Sequence, residues 1–282
     1  MIRGLLSLEL LRLRRSRRLL WALLVLALYV ALVLIGFATY ALTETDGQAE
    51  FRPSFENESY FNGLTFALYA FHFGLGLLLP VFAIAEAGAQ LAADRASGVL
   101  RLYLTRPVSP GRLFAVKWSL MAAVASLLVG ALLALGLGVG FGAVGWGDLE
   151  LYPGVLQMTD RPQRLEQSVA LMRFALAWPA ASLAVVCAGS FGALVASCAS
   201  RPVSAVSSGV ALYLVLLIVG EVHLFRDLRP LLFTSDMSLW RELFQEQPDG
   251  ELLLRGALRL LAFTAVFAGA AAWRFRTREE DR

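Results

Sequence analysis

Residues 94–117 read DRASGVLRLYLTRPVSPGRLFAVK, and they join two apolar segments, 61–90 and 113–144, long enough and sparse enough in charge to cross a bilayer. Five basic residues (Arg95, Arg101, Arg106, Arg112, Lys117) stand against one acid, Asp94, which predicts a cytoplasmic joint. Inside it Val99, Leu100, Leu102, Tyr103 and Leu104 form an apolar block between Gly98 and Arg106-Pro107. That pattern predicts a short helix with a greasy and a basic surface, stopped by the proline and lying at the membrane surface. Two roles suit such a helix: an interfacial loop held down by anionic lipid, or a docking element that a cytoplasmic partner pushes on.

The rest of the chain is built for the same solvent. Of 282 residues 58% are hydrophobic and only 17% charged, beyond the range of soluble domains. The length suits about six crossings of roughly 20 residues and leaves no room for a soluble catalytic domain. Residues 2–17 interleave arginine with leucine and predict an amphipathic helix on the inner leaflet, turning into the first crossing. The crossings are expected at 19–42, 61–90, 113–144, 168–199, 203–222 and 252–273, with a tail at 274–282. Gly74, Gly76 and Pro80 predict a kink in the second, and Pro179 a break in the fourth. Gly136/Gly140 and Gly138/Gly142 allow close helix approach, read first as packing within one subunit and second as a dimer seam. In the long segment 223–251, Leu239, Trp240, Leu243 and Phe244 share a helical face, which predicts a short helix lying at the outer interface.

Charge decides the orientation. Segments assigned to the inside carry 16 basic residues and 6 acids, those outside 9 and 16, so both termini are expected in the cytoplasm. Cys187 and Cys198 have no metal or redox spacing and read as small core residues.

No H-E-x-x-H, nucleophile elbow or P-loop lysine is present, so no catalytic residue is assigned and no metal site is expected. His72 and His223, at similar depth, leave open a haem or electron-transfer subunit, although a lone membrane histidine more often hydrogen-bonds a neighbouring helix. Glu86 reads as a snorkelling acid near the inner surface, or else as an intramembrane proton or cation site. The basic runs at 12–18 and 274–278 are expected to bind membrane lipid, not nucleic acid.

Within the joint, Asp94, Gly98, Leu100, Leu104, Pro107, Val108, Ser109, Leu113, Phe114 and Lys117 fit the run acid-x-x-x-G-x-L-x-x-x-L-x-x-P-[VL]-S-x-x-x-[LI]-[LF]-x-x-K. With six spans and an N-terminal amphipathic helix, the chain resembles permease subunits of ABC-2 type transporters. It departs from them in having Asp94 where glutamate is usual and Pro110-Gly111 after the serine. The resemblance implies an all-α integral membrane protein with six transmembrane helices, N-in and C-in. It implies an elbow helix at 1–18 and a coupling helix at 92–106 between the second and third spans. Asp94, Arg95, Gly98, Val99, Leu100, Leu102, Tyr103, Leu104, Arg106 and Pro107 would then dock on a separate nucleotide-binding ATPase subunit. ATP and Mg would sit on that partner, with no cofactor in this chain, and a second permease copy would complete a homodimer or related heterodimer. Export of an unnamed substrate across a bacterial or archaeal inner membrane is the expected activity. A non-transporting membrane anchor for a soluble complex also fits the basic docking surface.

Overall fold

The computed structural model describes residues 2–45, 61–96, 109–152, 156, 158–159, 161–199 and 201–280. Among them six helices are long and apolar enough to cross a membrane. Helix α1 (Ile2–Arg15) is short and separate. Arg17, with a left-handed φ of 53°, turns the chain into α2 (Arg18–Thr45), the first crossing. Successive left-handed residues are costly for L side chains, so one such residue makes an abrupt corner and no more.

The second crossing is α3 (Gly63–Phe73), a π-turn at Gly74–Leu78, and α4 (Leu79–Ala96). The expected kink therefore takes the form of one wide turn ahead of Pro80. The third crossing, α5 (Pro110–Val139), also ends in a π-turn, Gly140–Val144. Helix α6 (Gln167–Cys198) is the fourth. The expectation of a break at Pro179 is corrected: the helix runs through it unbroken. Pro179 lies on an exposed side of α6, while Phe174, Ala177 and Ala181 on the helix's other side are buried and keep it packed. Its apolar window is 72% buried, against 17% for the first, fifth and sixth crossings.

Small residues bring the central helices into contact. A Cβ on Gly192 of α6 would lie 2.7 Å from the Ile84 Cα of α4. One on Gly140 would lie 2.4 Å from the Gly63 carbonyl oxygen. Lipid tails are as apolar as the side chains, so such close approach, rather than hydrophobic transfer, holds membrane helices together. Gly136 packs on Ala67, which makes Gly136/Gly140 an intramolecular seam. Gly138 and Gly142 meet nothing within 4 Å among the described residues.

Helices α7 (Pro202–Glu221) and α9 (Gly250–Glu280) complete the six, each with an exposed apolar face, Leu212, Val215 and Ile218 on the one and Leu254, Leu258 and Leu261 on the other. Between α5 and α6 a two-stranded antiparallel hairpin, β1 (Leu149–Leu151) and β2 (Gln163–Leu165), adds a small sheet that the all-helical expectation lacked.

The segment between α7 and α9 forms a 3-10 helix (His223–Leu231), the single turn α8 (Phe233–Asp236) and a second 3-10 helix (Leu239–Phe244). Its expected apolar face does not lie on a membrane surface. Trp240 and Phe244 are buried against Phe71 and Phe174, with ring centroids 5.0 Å apart for Phe71–Trp240 and 4.9 Å for Phe174–Phe244. Aromatic edge-to-face packing inside the bundle outcompetes the interface. Leu224 and Leu231 of the first 3-10 helix are the exposed apolar residues instead. Of the two cysteines, Cys187 is buried and Cys198, at the end of α6, is exposed, which corrects its reading as a core residue.

Candidate functional site

Polar side chains collect at the two ends of the bundle. At the end that carries α1, Leu5, Glu9 and Leu13 recur every four residues, so they share one helical face. That face is turned into the bundle: Leu5 and Glu9 are buried and Leu13 packs on the core, while Leu8 and Leu11 are exposed. The inward face of α1 thus carries a carboxylate. Its partner is Lys117, which donates from Nζ to Glu9 Oε1 at 2.9 Å with 4% and 6% of the two side chains exposed. Lys117 is the one lysine in a chain of 25 basic residues. A buried charge is tolerated only when paired, so this contact fixes α1 against the first turns of α5.

A second contact lies beside it. Arg18, at the head of α2, stands 3.6 Å from Glu86 of α4, and Gln90 Nε2 donates to Glu86 Oε1 at 2.7 Å. Glu86 is buried, so its expected snorkelling to the interface is corrected: Arg18 and Gln90 hold it inside. Both ion pairs line one small cavity of about 40 Å³. The joint 97–108 is therefore flanked on each side by a helix whose charged residue is tied back to α1 or to the start of α2.

At the opposite end Asn62 caps α3: its Oδ1 accepts from the Leu64 and Thr65 N–H groups, and its Nδ2 donates to the Asp148 carbonyl at 2.7 Å. The Asp148 carboxylate accepts from Arg164 Nε and Nη2 at 3.0 and 2.8 Å and from the Gln167 N–H at 3.0 Å. The Arg164 bonds, then that of Gln167, hold its carboxyl below the usual carboxylate range.

A cavity of about 620 Å³ opens between the π-turn at Gly74–Leu78, the end of α7 and the 3-10 segments. Its apolar lining includes Leu75, Leu77, Leu217 and Trp240; its polar lining includes His72 and Arg241. The π-turn is held open from within, as Tyr213 of α7 donates to the Gly76 carbonyl at 3.1 Å. Among the described residues His72 Nδ1 has no hydrogen-bond partner, so the expected bond to a neighbouring helix is not made from this atom. His223 does not line this cavity; it stands exposed at the start of the first 3-10 helix.

Six crossings, an α1 tied to the flanks of one polar joint, and a match of residues 4–279 to the family model described as ABC-2 family transporter protein agree on one assignment. The chain belongs to the ABC-2 transporter family. No curated protein matches it. As an ABC-2 family chain it is a multi-pass membrane component of a transporter, and the family is not itself catalytic.

Of the ABC-2 docking residues expected from the sequence, Asp94 and Arg95 are on the last turns of α4. Gly98, Val99, Leu100, Leu102, Tyr103, Leu104, Arg106 and Pro107 lie outside the described residues. Sequence reasoning missed Glu9 as an inward residue, because leucine and arginine dominate its helix. The signal was there: Glu9 is the one acid among residues 1–18, and Lys117 the one lysine of the chain. The gathering of His72, Ser235 and Arg241 has no signal in sequence spacing, since 163 positions separate the first from the second.

Proposed function

We propose that this chain is the permease subunit of an ABC exporter, embedded in a bacterial or archaeal cytoplasmic membrane and driven by a separate ATPase subunit. What supports the reading is the family match across 4–279 together with a basic joint between the second and third crossings. In this reading the map is an elbow helix at 1–18, a coupling helix at 92–106 and the six-helix domain beyond, with both termini in the cytoplasm. Two permease chains, identical or related, and two ATPases make the working unit, with ATP and Mg bound on the ATPases. The apolar block Val99–Leu104, rimmed by Arg95 and Arg106, enters a groove on the ATPase, where charge pairs at the rim set the register. Closure of the ATPases on ATP displaces the joint. Since α4 and α5 flank it and are bonded to α2 and α1, the push reaches all four helices as one body.

The test is purification of the tagged chain in mild detergent with measurement of ATP hydrolysis. A stoichiometric P-loop ATPase should co-purify, and Gly98→Asp or Leu100→Glu should release it without reducing membrane insertion. Full ATPase recruitment by both variants would remove the joint from the docking role. A preparation with no ATPase at all would remove the permease reading.

A further inference from the structure

The cavity of about 620 Å³ at the end opposite α1 is lined by polar groups that the protein leaves unsatisfied. His72 Nδ1, Ser235 Oγ and Arg241 Nε are buried with no hydrogen-bond partner among the described residues, and all three residues line it. The Arg241 guanidinium forms no ion pair with a described carboxylate. Burial pushes that guanidinium below its ordinary value, with Glu221 acting the other way. A half-buried arginine with no ion pair among the described residues has lost hydration that a bound anion would replace.

The neighbouring charges favour the same sign of ligand. Arg229 also lines the cavity, and its donors are engaged by the carbonyls of Gly220 and Glu221 at 2.7 and 3.5 Å, so its charge is not neutralised by an acid there. Glu221, the one lining carboxylate among the described residues, is exposed. Asp236 is already paired with Arg259 at 3.2 Å. The remaining wall, including Leu75, Leu77, Leu217 and Met237, is apolar.

We propose that this cavity binds an amphipathic molecule through its carboxylate or phosphate group, which Arg241 receives with His72 and Ser235 beside it, while the apolar part lies along the π-turn and α7. Guanidinium suits this task because it presents several planar donors to one anion. The proposal rests on the permease reading only for the statement that such a molecule is cargo. Binding itself is measured on the chain without an ATPase, so the two fail separately.

The probe is radiolabelled dodecyl phosphate, titrated against the full chain in phosphatidylcholine nanodiscs by scintillation proximity, with dodecyltrimethylammonium as competitor. Saturable binding that the cation does not displace is expected. Arg241→Gln should weaken it about tenfold or more, the loss of one charge-assisted contact. Arg241→Lys should restore part of it, and Arg226→Gln, at an exposed position outside the cavity lining, should leave it unchanged. Equal affinity for the cation and the anion in the wild-type chain overturns the proposal whether or not a variant folds. So does wild-type binding by a folded Arg241→Gln. Nanodiscs containing phosphatidylglycerol separate two sources of the same chemistry. Loss of probe binding there assigns the site to a lipid headgroup, and retention assigns it to a non-lipid amphiphile.

Discussion

Substitution of Lys117 by methionine removes a charge from a place where its partner cannot reach water. Glu9 and Lys117 expose 6% and 4% of their side chains and meet at 2.9 Å, so either single variant removes a short, buried ion-pair contact from the charge that remains. Breaking such a pair from one side costs about 3–5 kcal/mol, because the remaining charge stays desolvated. The small cavity beside the pair, about 40 Å³, gives room for limited relaxation and sets the expectation toward the lower value. Lys117→Met and Glu9→Leu should each lower the unfolding midpoint in detergent by roughly 10 °C, on the scale of a few degrees per kcal/mol for a chain of this class. The double variant Glu9→Leu/Lys117→Met should return to within about 1 kcal/mol of wild type, since apolar groups of similar volume replace the whole pair. Arg18→Ala is the control. Arg18 is 44% exposed and 3.6 Å from Glu86, so it should cost less than about 1 kcal/mol. Thermal and SDS-titration unfolding of the four variants forms a double-mutant cycle. Single variants that unfold with wild type, or a double variant no better than the worse single, would refute the claim that this pair fixes α1.

Gly140→Ala should destabilise by about 3 kcal/mol, because its Cβ would fall 2.4 Å from the Gly63 oxygen, whereas Gly138→Ala, with open space, should be neutral or slightly stabilising; helicity and melting in detergent read both. Asp148 has a depressed folded pKa, so its contribution is complete above the ordinary carboxylate range and is lost as pH falls through the depressed value. The hydrogen-exchange protection of β1 and β2, corrected for the intrinsic pH dependence of amide exchange, should therefore stay constant down to about pH 4 and fall below it, and Asp148→Asn should abolish the step.

The six crossings were legible because length and low charge are enough to define a membrane helix. The basic excess of the joint and the small residues of α5 were legible for the same reason: both are local in sequence. The break expected at Pro179 was not found, since the buried residues Phe174, Ala177 and Ala181 around the exposed proline keep α6 packed. The face of Trp240 was recognised, but a face alone does not say what covers it, and the answer was Phe71 and Phe174 rather than lipid.

By itself, then, the sequence determined the solvent of this protein, the number of its crossings and its resemblance to ABC-2 permeases, which the family match establishes as membership. Those properties follow from composition within single segments and from one local motif. Only the tertiary structure decided that Glu9 meets Lys117 across 108 positions, that Arg18 draws Glu86 inward, and that His72, Ser235 and Arg241 border one cavity. The physical reason is that pairing energies depend on distance and burial, and helices far apart in the chain acquire both only when small residues let them pack.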